Sequence, residues 1–164
     1  EVLVLGAGPG GYTAAFRAHL LTAQALVHAL LPGMRAASFG RIINISSVEG
    51  KQGKPVFTAY VAAKHGERII ANTLRQELVG EPVRIIEIAP GMVHTEEFSL
   101  NRLGSREAAD RVYEGVAAPL VAEDIAEAIV WTLERPSHVN IDSMIVRPVA
   151  QATNTLVARN APEA

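Results

Sequence analysis

The chain has 164 residues, of which 49 % are apolar, and its 15 basic and 17 acidic residues leave a formal net charge of −2. That length suits one domain with its own core, and the even charge offers no basic surface for nucleic acid. The absence of cysteine excludes disulfides, a thiolate nucleophile and thiolate metal ligands, and the five histidines lack metal-ligand spacing. A cysteine-free chain suits a reducing compartment such as the cytoplasm. The longest apolar region, residues 20–34, is interrupted by Thr22, Gln24, His28 and Pro32, so no membrane span is expected.

Val2–Leu5 is a short apolar run that reads as a core strand rather than a leader. It is followed by GAGPGG, in which Gly6, Gly8 and Gly11 form GxGxxG between a strand and a helical segment. Such a turn lets a pyrophosphate approach the backbone at a helix N-terminus, although the same glycines also serve simple helix–strand packing. The stretch EVLVLGAGPGGYTAAFRA, residues 1–18, resembles the FAD-binding start of dihydrolipoamide dehydrogenases. An acid for the ribose is expected about 20 residues further on, at the end of a second strand. Neither is evident, because residues 12–37 read as helix almost throughout, with a kink at Pro32–Gly33. Leu20, Leu21, Leu26, Val27, Leu30 and Leu31 spread over more than one stripe, so this helix is expected to be buried or to meet a partner. His28 reads as a packing or interface residue.

Arg41–Ser47 predicts a strand, since Ile42, Ile43 and Ile45 favour extended, buried backbone. Val48–Pro55 reads as a loop, and a helix is expected from Phe57 or Thr58 to about Val79. Tyr60 and Lys64 then lie one turn apart on one face, with Ser47 able to meet them across the loop. A phenol titrates near pH ~10 and is a poor acid or base at neutral pH. A neighbouring ammonium favours the phenolate, and a serine hydroxyl can donate to the same substrate oxygen. The trio can therefore protonate a carbonyl oxygen as its carbon is reduced, or deprotonate an alcohol in reverse. The Tyr/Lys spacing alone fits a core-edge tyrosine and a solvated lysine equally well.

Ile69, Ile70, Leu74 and Leu78 are expected on the helix's inner face, and Gly80-Glu81-Pro82 ends it. Val83–Ala89 predicts the next strand, broken by Pro90–Gly91, and the carboxyl end of a parallel strand is where a ligand belongs. Residues 92–103 carry Phe98, Leu100 and Leu103, more apolar surface than a plain loop needs. Asn101, Arg102 and Arg106 are candidates for a substrate carboxylate but fit solvated positions better. Ser105 is expected to cap a short helix through Tyr113 that Gly115 ends. Glu123 and Asp124 open an amphipathic helix with Ile125, Ala128, Ile129 and Leu133 inward, and Trp131 reads as packing or interface. Val139–Val146 predicts a last strand, and residues 149–164 read as a loose tail.

These residues together resemble the short-chain dehydrogenase/reductase family. The matching segments are NISS at 44–47, with Ser47 thirteen residues before Tyr60, YVAAK at 60–64, LRQELVG at 74–80, EIAPGMVHTEEF at 87–98 and HVNIDSMIVRP at 138–148. The similarity is greatest to the branch acting on 3-hydroxy acids and short hydroxy amino acids. It implies a Rossmann-type fold, NAD or NADP as cofactor, and usually a homotetramer. It further implies Ser47, Tyr60 and Lys64 as catalytic residues. Tyr60 and Lys64 also contact the cofactor, and Pro90, Gly91, Val93 and Thr95 lie beside it. TAQALVHALLPGMRAASFGRIINISS, from Thr22, looks like the long helix before the catalytic-serine strand. In the family that helix and the Tyr/Lys helix form a subunit interface, and the last strand lies at another contact. The family's usual TGxxxGxG loop, its second to fourth strands, its NNAG-like segment and its catalytic-site asparagine have no counterpart here. The chain thus reads as a fusion or internally deleted form.

The expected fold is α/β, a reduced Rossmann-like three-layer sandwich with a mostly parallel sheet of strands 2–5, 41–47, 83–89 and 139–146. Residues 1–150 form a single domain in this reading, and 151–164 a C-terminal tail. Parallel strands need cover on both faces, and the reduced cover points to a homo-oligomer. The expected function is an NAD(P)-dependent oxidoreductase that interconverts a small hydroxy acid or alcohol with its carbonyl form. Its partner is a small-molecule substrate, with no nucleic acid, membrane or metal. A non-catalytic nucleotide-binding or scaffold protein is the alternative, and FAD binding a third reading resting on residues 1–18.

Overall fold

In a computed structural model, the structure describes residues 2–5, 20–53, 58–95 and 97–160, without the side chains of residues 2–5, Phe98, Asn101 and Arg102. Four strands, β1 (Val2–Leu5), β2 (Gly40–Ile45), β3 (Val83–Pro90) and β4 (Ser143–Val146), form one sheet in the order β1-β2-β3-β4. All three pairings are parallel, with Val2 opposite Arg41, Ile42 opposite Ile85, and Glu87 opposite both Asn44 and Ser143. The Rossmann-like α/β fold with a parallel sheet is therefore present. The described helices are α1 (Thr22–Ala36), α2 (Thr58–Glu77), α3 (Phe98–Leu103), α4 (Arg106–Tyr113) and α5 (Ala122–Leu133).

Strand side chains alternate between the two faces of a sheet. Ile42 and Ile85 point to one face and pack with Ala23, Val27 and Met34 of α1 and Ala71 of α2. Ile43, Ile86 and Ile88 point to the other and pack with Ile125, Ala128, Ile129 and Leu133 of α5. The expected inward face of α5 is thus correct. So is the Ser105 cap of α4, whose hydroxyl accepts from the Ala108 N–H at 3.2 Å.

The structure corrects several boundaries. The strand expected over 41–47 spans Gly40–Ile45, so Ser46 and Ser47 lie beyond it. The strand expected over 139–146 is confined to Ser143–Val146. The cause lies in three side chains that take up the preceding carbonyls or their partners. Arg84 donates to the Leu133, Arg135 and Val139 carbonyls, Arg75 donates to those of Ile85 and Asp142, and Asn140 donates to that of Ile85. Ile69, expected inward, is 57 % exposed, while Leu78 is buried. Pro32 sits inside a single continuous helix, and His28 on that helix is exposed.

The tail expected to be loose is ordered through residue 160. Gln151 pairs with Val157 in an antiparallel bridge. Asn154, buried, donates to the carbonyls of Val48 and Gln52 and to the Glu49 carboxylate. Arg159 donates to the carbonyls of Val112 and Glu114.

Candidate active site

β2 ends at Ile45, and the chain turns through Ser46 and Ser47 into a 3-10 turn, Val48–Gly50. Ser47 is the N-cap of that turn, its hydroxyl oxygen accepting from the Glu49 N–H at 3.2 Å. A serine that accepts in this way still has its own hydrogen to donate. Gly50 seats the turn against α2, since a Cβ there would meet the Lys64 carbonyl oxygen at 2.8 Å. The glycine thereby lets the serine loop approach the helix that carries Tyr60 and Lys64.

Tyr60 and Lys64 lie on the first two turns of α2, and the Lys64 ammonium is 5.9 Å from the centroid of the Tyr60 ring. Lys64 is only 2 % exposed. Its Nζ donates to the Ile45 carbonyl at 3.2 Å and to Glu67 Oε2 at 2.9 Å. Burial holds Lys64 below the ordinary lysine value of 10.5, while the charge and hydrogen bond of Glu67 pull it back upward.

A second buried group supports the serine loop. Glu87 accepts from the Ser46 hydroxyl at 2.7 Å, from the Ser143 hydroxyl at 2.7 Å and from Lys51 Nζ at 3.1 Å. Burial raises this carboxyl, but the three hydrogen bonds and the Lys51 charge outweigh it and hold Glu87 below 4.5. Residues on either side of Ser47 are thereby tied to the middle of the sheet.

At the end of β3, the chain turns at Pro90–Gly91 and continues past Val93 and Thr95. The Gly91 N–H donates to the Val146 carbonyl at 2.7 Å and the Met92 N–H to Gln151 Oε1 at 2.8 Å. A Cβ on Gly91 would stand 2.2 Å from Gln151 Oε1, so only glycine fits this crossing unchanged. Val93 is bridged to Leu120, and its carbonyl accepts from the Tyr113 hydroxyl at 2.9 Å. Thr95 is half-buried. Ser47, Tyr60, Lys64, Pro90 and Gly91 thus belong to elements that meet at the carboxyl ends of β2 and β3, the position of ligand crevices in parallel sheets. Gly6, Gly8 and Gly11 lie outside the described residues, as do the side chains of Asn101 and Arg102. Arg106 is exposed.

Sequence reasoning missed Glu67, Gln151, Asn154 and the polar anchor of Glu87. Glu67 was detectable, because it lies three residues after Lys64 and seven after Tyr60, on the same helical face. Gln151 and Asn154 carried no such signal, because their partners are distant in sequence.

Residues 12–103 match the family model described as short chain dehydrogenase. The chain belongs to the short-chain dehydrogenases. An uncharacterized oxidoreductase of Mycobacterium tuberculosis is 45 % identical to it over 129 residues, covering 78 % of this chain and 51 % of that protein. An NADP-dependent 3-hydroxy acid dehydrogenase of Escherichia coli is 38 % identical over 128 residues, covering 77 % and 51 %. This short-chain dehydrogenase thus spans about half the length of the curated relatives it matches. Among solved structures, the closed form of a serine dehydrogenase complexed with NADP+ superposes with a TM-score of 0.89 at 29 % identity, covering 98 % of this chain and 70 % of that one. A serine dehydrogenase from Escherichia coli superposes with a TM-score of 0.75 at 28 % identity, covering 92 % and 65 %. No described helix is long and apolar enough to cross a membrane.

Proposed function

We propose that this chain carries the proton-transfer centre of an NAD(P)-dependent oxidoreductase that interconverts a small hydroxy acid or alcohol with its carbonyl form. The observation that carries this reading is the buried Lys64 ammonium held 5.9 Å from the Tyr60 ring on the same helical face. A nicotinamide cofactor, when bound, supplies the hydride chemistry. Tyr60 gives its hydroxyl proton to the carbonyl oxygen as the carbon is reduced, and takes the alcohol proton in the reverse direction. Lys64 favours the phenolate by its charge and supplies a donor for the cofactor ribose, and Ser47 donates to the substrate oxygen. Pro90, Gly91, Val93 and Thr95 form the cofactor's nicotinamide side, and Gly6, Gly8 and Gly11 its pyrophosphate turn. The fit is supported by the placement of Pro90–Gly91 at the carboxyl end of parallel strand β3, where such sheets hold their ligands.

The substrate class is supported by what the relatives are called, a 3-hydroxy acid dehydrogenase and serine dehydrogenases. Residues 1–150 act as one Rossmann-like unit in this reading, as a homo-oligomer in the cytoplasm. A second reading, a nucleotide-binding or scaffold protein without turnover, is favoured by one observation. Two of the three Lys64 ammonium donors are already taken, by Glu67 and the Ile45 carbonyl.

Titration of the folded protein with NADH and NADPH, with FAD as the comparison, tests these readings. Micromolar nicotinamide binding followed by carbonyl reduction is expected. Tyr60→Phe lowers that turnover by about 10²–10⁴-fold, the range of a general acid, with cofactor affinity nearly unchanged. Undiminished turnover in this variant overturns the role of Tyr60. Failure of both nicotinamide cofactors to bind moves the assignment to the scaffold reading, and selective FAD binding to the flavin one.

A further inference from the structure

We infer that Glu67 is the buried counter-charge that keeps Lys64 an ammonium inside the fold, and through it a positioning residue for the chemistry at Tyr60. Its effect on Tyr60 rests on the oxidoreductase reading, whereas the charge pairing does not.

The two side chains are 2 % and 4 % exposed and their charged atoms are 2.9 Å apart. Removal from water disfavours an ammonium, and two features of the fold oppose that here. The Ile45 carbonyl accepts one hydrogen bond, but it brings no full charge. Glu67 brings a full negative charge at contact distance. Its place is fixed, because the Asn44 side chain donates to the Glu67 carbonyl at 3.2 Å and clamps this turn of α2 to β2. Tyr60, Lys64 and Glu67 follow at i, i+4 and i+7 on one face of α2, with the ammonium 5.9 Å from the ring centroid and 2.9 Å from the carboxylate.

Several other charged groups on and beside these elements have partners of their own. On α2, the ring nitrogen Nδ1 of His65 is 2.9 Å from the Val61 carbonyl oxygen, and Arg68 donates to the Gly50 carbonyl. Beside the 3-10 turn, the Glu49 carboxylate accepts from Asn154, and Lys51 pairs with Glu87 of β3. Arg41 of β2 donates to the Gly40 carbonyl, and Arg84 of β3 donates to carbonyls after α5. Among the described residues, Glu67 is the charged group in direct contact with Lys64. Burial lowers Lys64 and Glu67 raises it, so the two influences have the signs this geometry requires.

The test is a pH titration of the lysine side chains by carbon NMR, which reads the amine directly without cofactor or turnover. The chain has only three lysines, Lys51, Lys54 and Lys64, so the resonances can be assigned singly. In the unaltered protein Lys64 is expected to titrate below the ordinary lysine value of 10.5. Glu67→Gln is expected to lower its midpoint by at least about one pH unit, a tenfold change in the ammonium-to-amine ratio. Glu67→Asp is expected to recover part of that shift. A Glu67→Gln protein whose Lys64 midpoint stays within about 0.3 units overturns the inference. Should the variants not fold, the unaltered protein decides the matter. The Glu67 side-chain carboxyl resonance must then move with the Lys64 midpoint, and a resonance that ignores it overturns the pairing. If NAD(P)-dependent turnover exists, its high-pH limit falls in Glu67→Gln by the same interval as the lysine. A shifted lysine in a protein that binds no cofactor leaves the pairing standing and removes the oxidoreductase reading. Turnover with an unshifted lysine does the reverse.

Discussion

The two faces of the sheet are built from alternate residues of the same strands, yet they differ in kind. Toward α5, β2 and β3 present Ile43, Ile86 and Ile88, all buried among apolar neighbours. Toward α1 and α2 the same strands begin with Ile42 and Ile85 and then change, near their carboxyl ends, to Asn44 and Glu87. There the buried groups include Lys64 paired with Glu67, and Glu87 accepting from Ser46. One face gains stability by removing apolar surface from water. The other spends part of its area on polar groups whose burial is tolerable only because each has partners. The contrast implies that stability and chemistry can be perturbed separately.

The largest separation is expected at Ile86, which is fully buried beneath α5. Ile86→Ala should cost about 2–5 kcal/mol of unfolding free energy, read by urea denaturation, while the proposed nicotinamide affinity of the folded molecules is unchanged. A comparable loss of cofactor affinity in the folded protein breaks the separation. Gly91→Ala is expected to cost less, about 1–3 kcal/mol, because the new Cβ displaces Gln151 from the Met92 N–H. Here the damage should also reach nicotinamide binding, which titration of the folded variant measures.

The finest effect concerns acid. Glu87 lies below its ordinary 4.5 in the folded state, so the unfolded chain takes up its proton first as the pH drops. Its contribution is fully present above 4.5 and is lost as the pH falls through the lower, folded value. Glu87→Gln should therefore flatten the fall of stability below pH 4.5, seen as denaturation midpoints collected across that range. An unchanged acid slope shows that other carboxylates set it. Lys64 has the same direction of shift at the other end of the scale. The unfolded chain holds the Lys64 proton more tightly, so stability rises as the pH climbs from the folded value toward 10.5.

Much of this arrangement was legible in the residues. Runs such as Ile42–Ile45 and Val83–Ala89 combine β-branched side chains with burial on both faces, so they announce parallel strands on their own. α5 was legible through its period, and the neighbourhood of Tyr60 and Lys64 on one helical face through their spacing. The illegible parts depend on partners far along the chain. Residues 139–142 have the composition of a strand, but the guanidinium groups of Arg84 and Arg75 hold the carbonyls of Val139 and Asp142. Ile69 follows the apolar pattern of α2, yet it falls on the exposed side. Gln151 and Asn154 look like ordinary polar residues of a tail, and only the fold gives them work. The Lys64–Glu67 pair was within reach of helical spacing. What spacing does not reveal is that both members are buried.

The clasp made by Asn154 and Arg159 also bears on the order in which contacts form during folding. Asn154 closes onto Val48 across 106 residues, and Arg159 returns to Glu114 across 45. Contacts of such separation form late, because the intervening chain must first be drawn in. A chain emerging from its amino end can therefore assemble β2, α2 and β3 while the loop carrying Ser47 still lacks its final tie. The scaffold matures ahead of the site. Without Asn154 the candidate serine loop lacks its bonds at Val48, Glu49 and Gln52, although the residues of β2, α2 and β3 are all in place.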